Sequence, residues 1–268
     1  MIQSVDATAE HLQAARGITG SPDLVLLPES IAHVEGPIGQ TSVGARFADP
    51  ARRLGTNLVV GTTEAEGRDR FRNASILWGP EGNLLGRYEK HHRVPFGEYL
   101  PMRDPVEPLS DLTRLVPRDA IAGHGPAVLQ PRSTPPLGIV ISYETFFPDR
   151  VAAAVHAGGQ LVLAPTSASS FTGRDVPAIE VAASRLRAGE FGRTVLLAAP
   201  TGYSAVIRPD GTVADLSGLG TRELLTATVP LRTGLTPYAR TGDTPVLVLA
   251  LLVLMASVGV HAIRRRAV

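Results

Sequence analysis

Apolar positions along this chain fall into short, compact runs separated by turn-forming residues. Asp23–Pro28 (DLVLLP) and Asn57–Thr63 (NLVVGTT) are continuous apolar stretches of the kind that form strands buried on both faces. Ala74–Trp78 and Leu84–Tyr88 flank Gly79–Asn83 (GPEGN), which predicts a hairpin. Leu137–Ile141 and Leu161–Ala164 predict two more strands, with the helical composition of Asp149–Ala157 between them. Val195–Ala199 and Tyr203–Ile207 read as strands, and Arg208–Thr212 (RPDGT) as a second hairpin turn centred on Asp-Gly. Leu224–Val229 reads as a closing strand. Helical spacing predicts a short helix over residues 6–16, with Asp6 or Thr8 as its cap. A longer helix is predicted over Pro177–Arg193, with Ile179, Ala182, Ala183 and Leu186 on one apolar face. Residues 103–136, rich in Pro, Asp and Arg, read as a long surface excursion. Strands that alternate with helices, plus two hairpins, imply a mixed sheet of α/β class.

One run differs in kind. Thr244–Ile263 (TPVLVLALLVLMASVGVHAI) contains no Asp, Glu, Lys or Arg. A helix of about 20 residues rises about 30 Å, enough for a bilayer core. Arg264, Arg265 and Arg266 follow it, which predicts a cytoplasmic tail and an outward-facing domain. The expected organisation is a domain over 1–236, a polar linker over 237–243, a transmembrane helix over 244–263 and a tail over 264–268.

Composition narrows the chemistry. The 268 residues suffice for one large core. A net charge of +1 without a basic stripe argues against nucleic acid. With no cysteine there is no disulfide, no thiolate metal site and no thiol nucleophile. His91 and His92 are adjacent, so on a strand they point apart, and no third ligand stands at metal spacing. Trp78 reads as hairpin or core packing.

Three polar clusters follow apolar strands: Pro28-Glu29-Ser30, the segment Tyr88–Pro101, and Ser142-Tyr143-Glu144. Strand ends in α/β sheets are where ligand crevices form. Ser167, Ser169 and Ser170 after the strand Leu161–Ala164 are site-wall residues or turn formers. Phe96, Tyr99, Phe146 and Phe147 are core or the lining of an opening.

The chain order of Glu29, then Lys90 in a Tyr-x-Lys context, then a nucleophile at a strand end resembles the nitrilase (carbon–nitrogen hydrolase) superfamily. Within it, the phrases LVLLPES (24–30), GRYEKHHRVPFGEYLP (86–101), GIVISYETFFPD (138–149), SRLRAGEFGR (184–193), PTGYSAVIRPDG (200–211) and VPLRTGLTPYARTGD (229–243) resemble the apolipoprotein N-acyltransferase family. The resemblance implies an α-β-β-α sandwich followed by one C-terminal transmembrane helix. It implies an acyltransferase of the bacterial plasma membrane, with the catalytic domain on the extracytoplasmic face. The acyl donor would be a membrane phospholipid, and the acceptor the diacylglyceryl-cysteine amine at a lipoprotein N-terminus. No cofactor is required. In the implied roles Glu29 is the general base, Lys90 stabilises the oxyanion and Ser142 takes the acyl group. Glu98 is a second acidic residue near the site. Tyr143 and Glu144 flank the nucleophile, with the Tyr143 N–H as an oxyanion donor.

Two features depart from the family pattern. Ser142 stands where the family has cysteine, and a hydroxyl is much harder to deprotonate than a thiol of pKa near ~8.5. The sequence also starts at what would be the first helix, without the family's membrane bundle or opening strand. That reads as a fragment, a mis-set start or one half of a split system. Two other functions stay open: an amidohydrolase acting on a small amide or nitrile, and a membrane-tethered protein without catalysis.

Overall fold

In the computed structural model, residues 3–103, 116–132, 134–167 and 175–266 are described, with side chains over residues 8–258 of that range. The longest strand, β3 (Asn57–Glu66), organises the first of two sheets. Beside it in parallel run β1 (Leu24–Leu26) and β2 (Ala32–Glu35), successive parts of one interrupted strand. From Leu26 to Ala32 the chain advances six positions, while β3 advances three, from Val59 to Thr62. The surplus forms a bulge at Pro28–Ile31, which lifts Glu29 out of the ladder.

Antiparallel β4 (Arg70–Trp78) and β5 (Leu84–Glu89) extend this sheet, and β6 (Asp119–Ala120) adds to β4. The expected turn between β4 and β5 is present, closed by Gly79 N to Asn83 O at 2.8 Å. The second sheet has β7 (Val128–Leu129), β8 (Leu137–Ile139), β9 (Val162–Pro165), β10 (Val195–Ala198), β11 (Ala205–Ile207) and β12 (Val213–Leu216), in that spatial order. Its centre, β8-β9-β10, is parallel, and the Asp-Gly turn joins antiparallel β11 and β12.

The sheets meet face to face through Val59, Leu77 and Tyr88 on one side and Leu137, Ile139 and Leu163 on the other. Helices α1 (Gln3–Gly17) and α2 (Ser42–Leu54) cover the first sheet through Leu12, Ala15, Phe47, Ala51 and Leu54. Helices α3 (Pro148–His156) and α4 (Val176–Phe191) pack on β8 and β10 of the second. The layering is α-β-β-α, as the sequence implied. Trp78 lies in the core between the first sheet and its helices.

Several expectations need correction. Helix α1 begins at Gln3, so Asp6 and Thr8 lie inside it; Thr8 instead donates to Ile31 O at 2.7 Å. Strand β2 and helix α2 were not anticipated. Helix α2 is amphipathic, with Phe47, Ala48, Ala51 and Leu54 buried. The Thr41 hydroxyl caps it by accepting from Gly44 N, and Gly55 ends it in the left-handed region at φ 62. Its three arginines and Pro50 disguise the pattern. Helix α4 buries a different face from the one expected: Glu180, Ser184, Arg187 and Ala188 face inward, and Ile179 and Leu186 are exposed. Residues 224–229 form no strand, and Leu224 is exposed. Within the supposed surface excursion, Ala120, Ala127 and Leu129 are buried, because their small or apolar side chains fit against β4 and β8; residues 104–115 and 133 lie outside the described residues.

The chain divides into two compact units, Met1–Thr233 and Gly234–Val268. In the second, the expected linker contains a short helix, α5 (Pro237–Thr241), capped by the Thr236 hydroxyl. Helix α6 (Thr244–Arg266) follows, with Val246, Leu249 and Leu252 among its exposed apolar side chains. Among the described residues, no helix is long and apolar enough to cross a membrane, so the expected span is not carried by the fold.

Candidate active site

The bulge after β1 turns the Glu29 carboxylate into a buried position, and Ser30 bears the backbone cost at φ 52. The bulge is held by Gly61 N to Pro28 O at 3.2 Å and Ile31 N to Gly61 O at 3.1 Å. Gly61 is required by this contact: a β-carbon there would stand 2.3 Å from Pro28 O.

Lys90 continues the line of β5. Its backbone is pinned on both sides, by Lys90 N to Asn73 O and Gly123 N to Lys90 O, each 2.8 Å. Its ammonium is only 2% exposed and donates to Glu29 Oε1 and Glu98 Oε1, both at 2.8 Å. Asn73, on β4, bridges the same two oxygens at 2.7 and 2.9 Å. The second oxygen of Glu98 accepts from Val94 N at 2.8 Å, closing the Val94–Glu98 loop. Burial alone would lower the Lys90 pKa, but the charges and hydrogen bonds of Glu29 and Glu98 outweigh it and raise it. Burial raises the Glu29 carboxyl, and the Glu98 charge adds to this against the pull of Lys90. The cluster therefore holds the Lys90 ammonium between two acidic side chains.

Ser142 opens a 3-10 turn (Ser142–Phe146) directly after β8. Its φ of 49 places it in the left-handed region, a strained strand-to-helix corner that projects the side chain. The first hydrogen bond of the turn runs from Glu144 N to Ile141 O at 3.1 Å. The N–H groups of Ser142 and Tyr143 precede it and so have no acceptor within the turn. The Ser142 hydroxyl donates to Glu180 Oε1 at 3.1 Å, and Thr166 Oγ1 donates to the same oxygen at 2.6 Å. Burial raises the Glu180 carboxyl, against the Thr166 hydrogen bond.

Glu144, two positions after Ser142 in the same turn, makes contacts that reach beyond it. It is fully buried and accepts from Ile141 N at 2.7 Å, His91 N at 2.7 Å and His92 N at 3.1 Å. The Tyr88 hydroxyl reaches both its oxygens at 2.8 Å, and Arg150 Nη2 donates to that hydroxyl at 3.0 Å. Glu144 thus ties the strand that carries Lys90 to the turn that carries Ser142. Burial and the Glu144 charge push the Tyr88 phenol well above its ordinary value, so it remains a donor.

Tyr143 is half-buried and meets Phe147 edge to face at 4.9 Å. A cavity of about 250 Å³ beside it is lined by His91, His92, Arg93, Tyr99, Tyr143 and Phe147. The two histidines turn to separate partners: His91 Nδ1 is 2.7 Å from Gly123 O, and His92 Nε2 is 3.0 Å from Asp149 Oδ2. Phe96 is exposed, Tyr99 lies under the Arg93 guanidinium at 4.2 Å, and neither belongs to the core. Ser167 is half-buried beside Thr166; Ser169 and Ser170 lie outside the described residues.

The structure therefore brings Glu29, Lys90 and Glu98 into one hydrogen-bonded cluster. Ser142 and Glu144 sit at one corner, tied to the Lys90 strand. Asn73, Glu180, Thr166, Tyr88 and Arg150 were not anticipated. Asn73 and Glu180 did carry a signal, being polar residues inside otherwise packed elements, where each needs a partner.

The sequence model of the carbon-nitrogen hydrolase family matches residues 5–237. An apolipoprotein N-acyltransferase of Bradyrhizobium diazoefficiens is 37% identical over 92% of this chain and 46% of its own length. Another, from Methylococcus capsulatus, is 31% identical over 98% of this chain and 49% of its own. The chain thus spans about half the length of these curated relatives. Among solved structures, a cysteine-to-serine mutant of the Nesterenkonia AN1 amidase from the nitrilase superfamily is similar, with TM-score 0.57 and 25% identity over 81% of each chain. A Saccharomyces cerevisiae nitrilase-superfamily protein shares the fold, with TM-score 0.61 and 19% identity over 82% of each chain. With the interrupted strand, the lysine between two carboxylates and the strained serine corner in one domain, this chain belongs to the carbon–nitrogen hydrolase family.

Proposed function

We propose that this chain is an acyltransferase domain of the apolipoprotein N-acyltransferase kind. It moves a fatty acyl group from a phospholipid to the N-terminal diacylglyceryl-cysteine amine of a lipoprotein, through an ester on Ser142. The observation that carries the reading is the Lys90 ammonium fixed at 2.8 Å from both Glu29 and Glu98, in a domain tied to the Ser142 corner by Glu144. Acyl transfer needs fixed positive charge where negative charge develops, a base and a constrained nucleophile. Lys90, with the Tyr143 N–H, supplies the first. Glu29 takes up the proton of the incoming amine. Glu98 holds Lys90 in place.

The choice of lipid over a small amide is supported by the names of the relatives and by two exposed surfaces. The loop that carries Glu98 presents Phe96, 59% exposed, and Met102, 75% exposed, to solvent. Between Val246 and Val258, helix α6 presents mostly apolar side chains to solvent. The reading places residues 1–236 as the catalytic domain on the extracytoplasmic face of the bacterial plasma membrane, residues 237–243 as linker, 244–263 in the bilayer and 264–268 on the cytoplasmic side. The amidase likeness keeps a small-amide hydrolase as the second reading.

Vesicles of phosphatidylethanolamine mixed with a synthetic diacylglyceryl-cysteine peptide separate the two. Triacylated peptide with matching lysophospholipid is the expected product. Ammonia release from simple amides without any lipid product would favour the hydrolase.

A further inference from the structure

We infer that Glu180 is a further catalytic residue, the base that takes the proton of Ser142. The inference rests on the acyltransferase reading and deepens it. A hydroxyl nucleophile needs a base within hydrogen-bond reach, about 2.6–3.2 Å, and that base needs a third group to orient it. Glu180 Oε1 accepts the Ser142 hydroxyl at 3.1 Å. Thr166 Oγ1, on the residue after β9, donates to the same oxygen at 2.6 Å and fixes the carboxylate. In the described hydrogen bonds Glu29 Oε1 accepts from Lys90 and Asn73, and the hydrogen bond described for the Ser142 hydroxyl is to Glu180.

Three further observations agree. Glu180, Thr166 and Ser142 are 4%, 1% and 8% exposed, so water competes little for the carboxylate. Helix α4 turns a polar face inward against the Ser142 turn and leaves Ile179 and Leu186 outside, an inversion that makes sense if that face does chemistry. Burial also lifts the Glu180 carboxyl toward neutrality, which strengthens it as a base. A nucleophile harder to ionise than a thiol thus sits beside a base of its own.

The steps balance. Glu180 Oε1 takes the proton from Ser142 Oγ as Oγ bonds to the ester carbonyl carbon of the phospholipid. The carbonyl electron pair moves onto its oxygen, facing Lys90 and the Tyr143 N–H. Collapse breaks the bond from that carbon to the glycerol oxygen. The glycerol oxygen takes the proton back from Glu180, which leaves lysophospholipid, an acyl ester on Ser142 and an ionised Glu180. The lipoprotein amine then attacks the ester carbon, the bond to Oγ breaks, and an amine proton passes through the carboxylates to Oγ. The products are the amide and free Ser142.

The test is single-turnover acylation by phosphatidylethanolamine vesicles, followed by intact-protein mass spectrometry across pH. Four full-length chains are compared: the parent, Glu180→Gln, Ser142→Cys, and the double variant. The expected result is a loss of about a hundredfold or more in acylation rate for Glu180→Gln in the parent background, with the acid limb of its pH profile flattened. In the Ser142→Cys background the same change costs less than about fivefold, because a thiol loses its proton far more readily than a hydroxyl and depends less on an adjacent base. An equal loss in both backgrounds overturns the assignment and makes Glu180 a supporting residue. No loss in the parent background overturns it as well. A parent that never acylates also overturns it; an adduct on Ser142→Cys would then leave the acyltransferase reading standing, and none on either would remove both.

Discussion

Gly61 lies so close to Glu29 that a β-carbon built on the glycine would stand 2.5 Å from the Glu29 Cα. The bulge that aims the Glu29 carboxylate at Lys90 is seated directly on β3, and no side chain fits between. Gly61→Ala forces the Pro28–Ser30 backbone away. Overpacking of this kind costs about 1–3 kcal/mol, and a displacement on the order of 1 Å can cost about 10²-fold in rate. Thermal unfolding and the acylation rate should both show it. Gly125→Ala, where nothing lies within 4 Å, should change neither.

Glu144 is a tie between two strands of chemistry, so its loss should damage the fold before the rate. Glu144→Ala leaves the Tyr88 hydroxyl and three backbone N–H groups without this acceptor, and Arg150 without its ion-pair partner. Removing one partner of a buried charged network costs about 3–5 kcal/mol. Tyr88→Phe removes only the phenol and should cost about 1–3 kcal/mol. Denaturant unfolding of the two variants should rank them in that order.

The pH dependence of stability follows from the raised carboxyls. Glu29 and Glu180 have folded pKa values above their usual 4.5, so the folded chain holds their protons more tightly than the unfolded chain does. Their contribution is fully present below about 4.5 and is lost as pH rises through the folded values. Glu180→Gln should therefore be more stable than the parent at pH 7, with the gain shrinking toward pH 4.5. Lys90 acts at the other end. Its raised value gives stability that is present below 10.5 and lost as pH climbs beyond it. Melting temperatures from pH 4 to 8 check the first of these, and a flat difference between parent and variant would contradict it.

Much of this site could be read from the chain, for a physical reason. Glu29, Lys90 and Ser142 each follow a compact apolar strand, and in α/β sheets that is where clefts open. The residues that complete the site were hidden because they lie within elements. Asn73 sits in the middle of β4, and Glu180 lies one position from Ile179 on α4. The rule that apolar positions face inward pointed to Ile179 and Leu186, whereas α4 buries Glu180, Ser184 and Arg187 against the Ser142 turn. Glu144 was legible as a neighbour of Ser142, but its contacts with His91 and His92 depend on how two distant strands meet. Helix α2 escaped because Arg46, Arg52, Arg53 and Pro50 dilute its apolar stripe.

If α6 enters lipid, a charge in its middle should expel it. Leu252 is exposed on α6, and arginine at the centre of an inserted helix costs about 2.5–3.5 kcal/mol. Leu252→Arg should shift the chain from the membrane fraction to the alkaline-carbonate supernatant. Carbonate extraction of the parent itself would count against the membrane reading.

The central claim, an acyl-enzyme on Ser142, is tested most directly by the mass of the intact chain after exposure to phosphatidylethanolamine vesicles. The account predicts one fatty acyl group on the parent, on the peptide that contains Ser142, and none on Ser142→Ala. An adduct that persists in Ser142→Ala, or none on the parent, would contradict it.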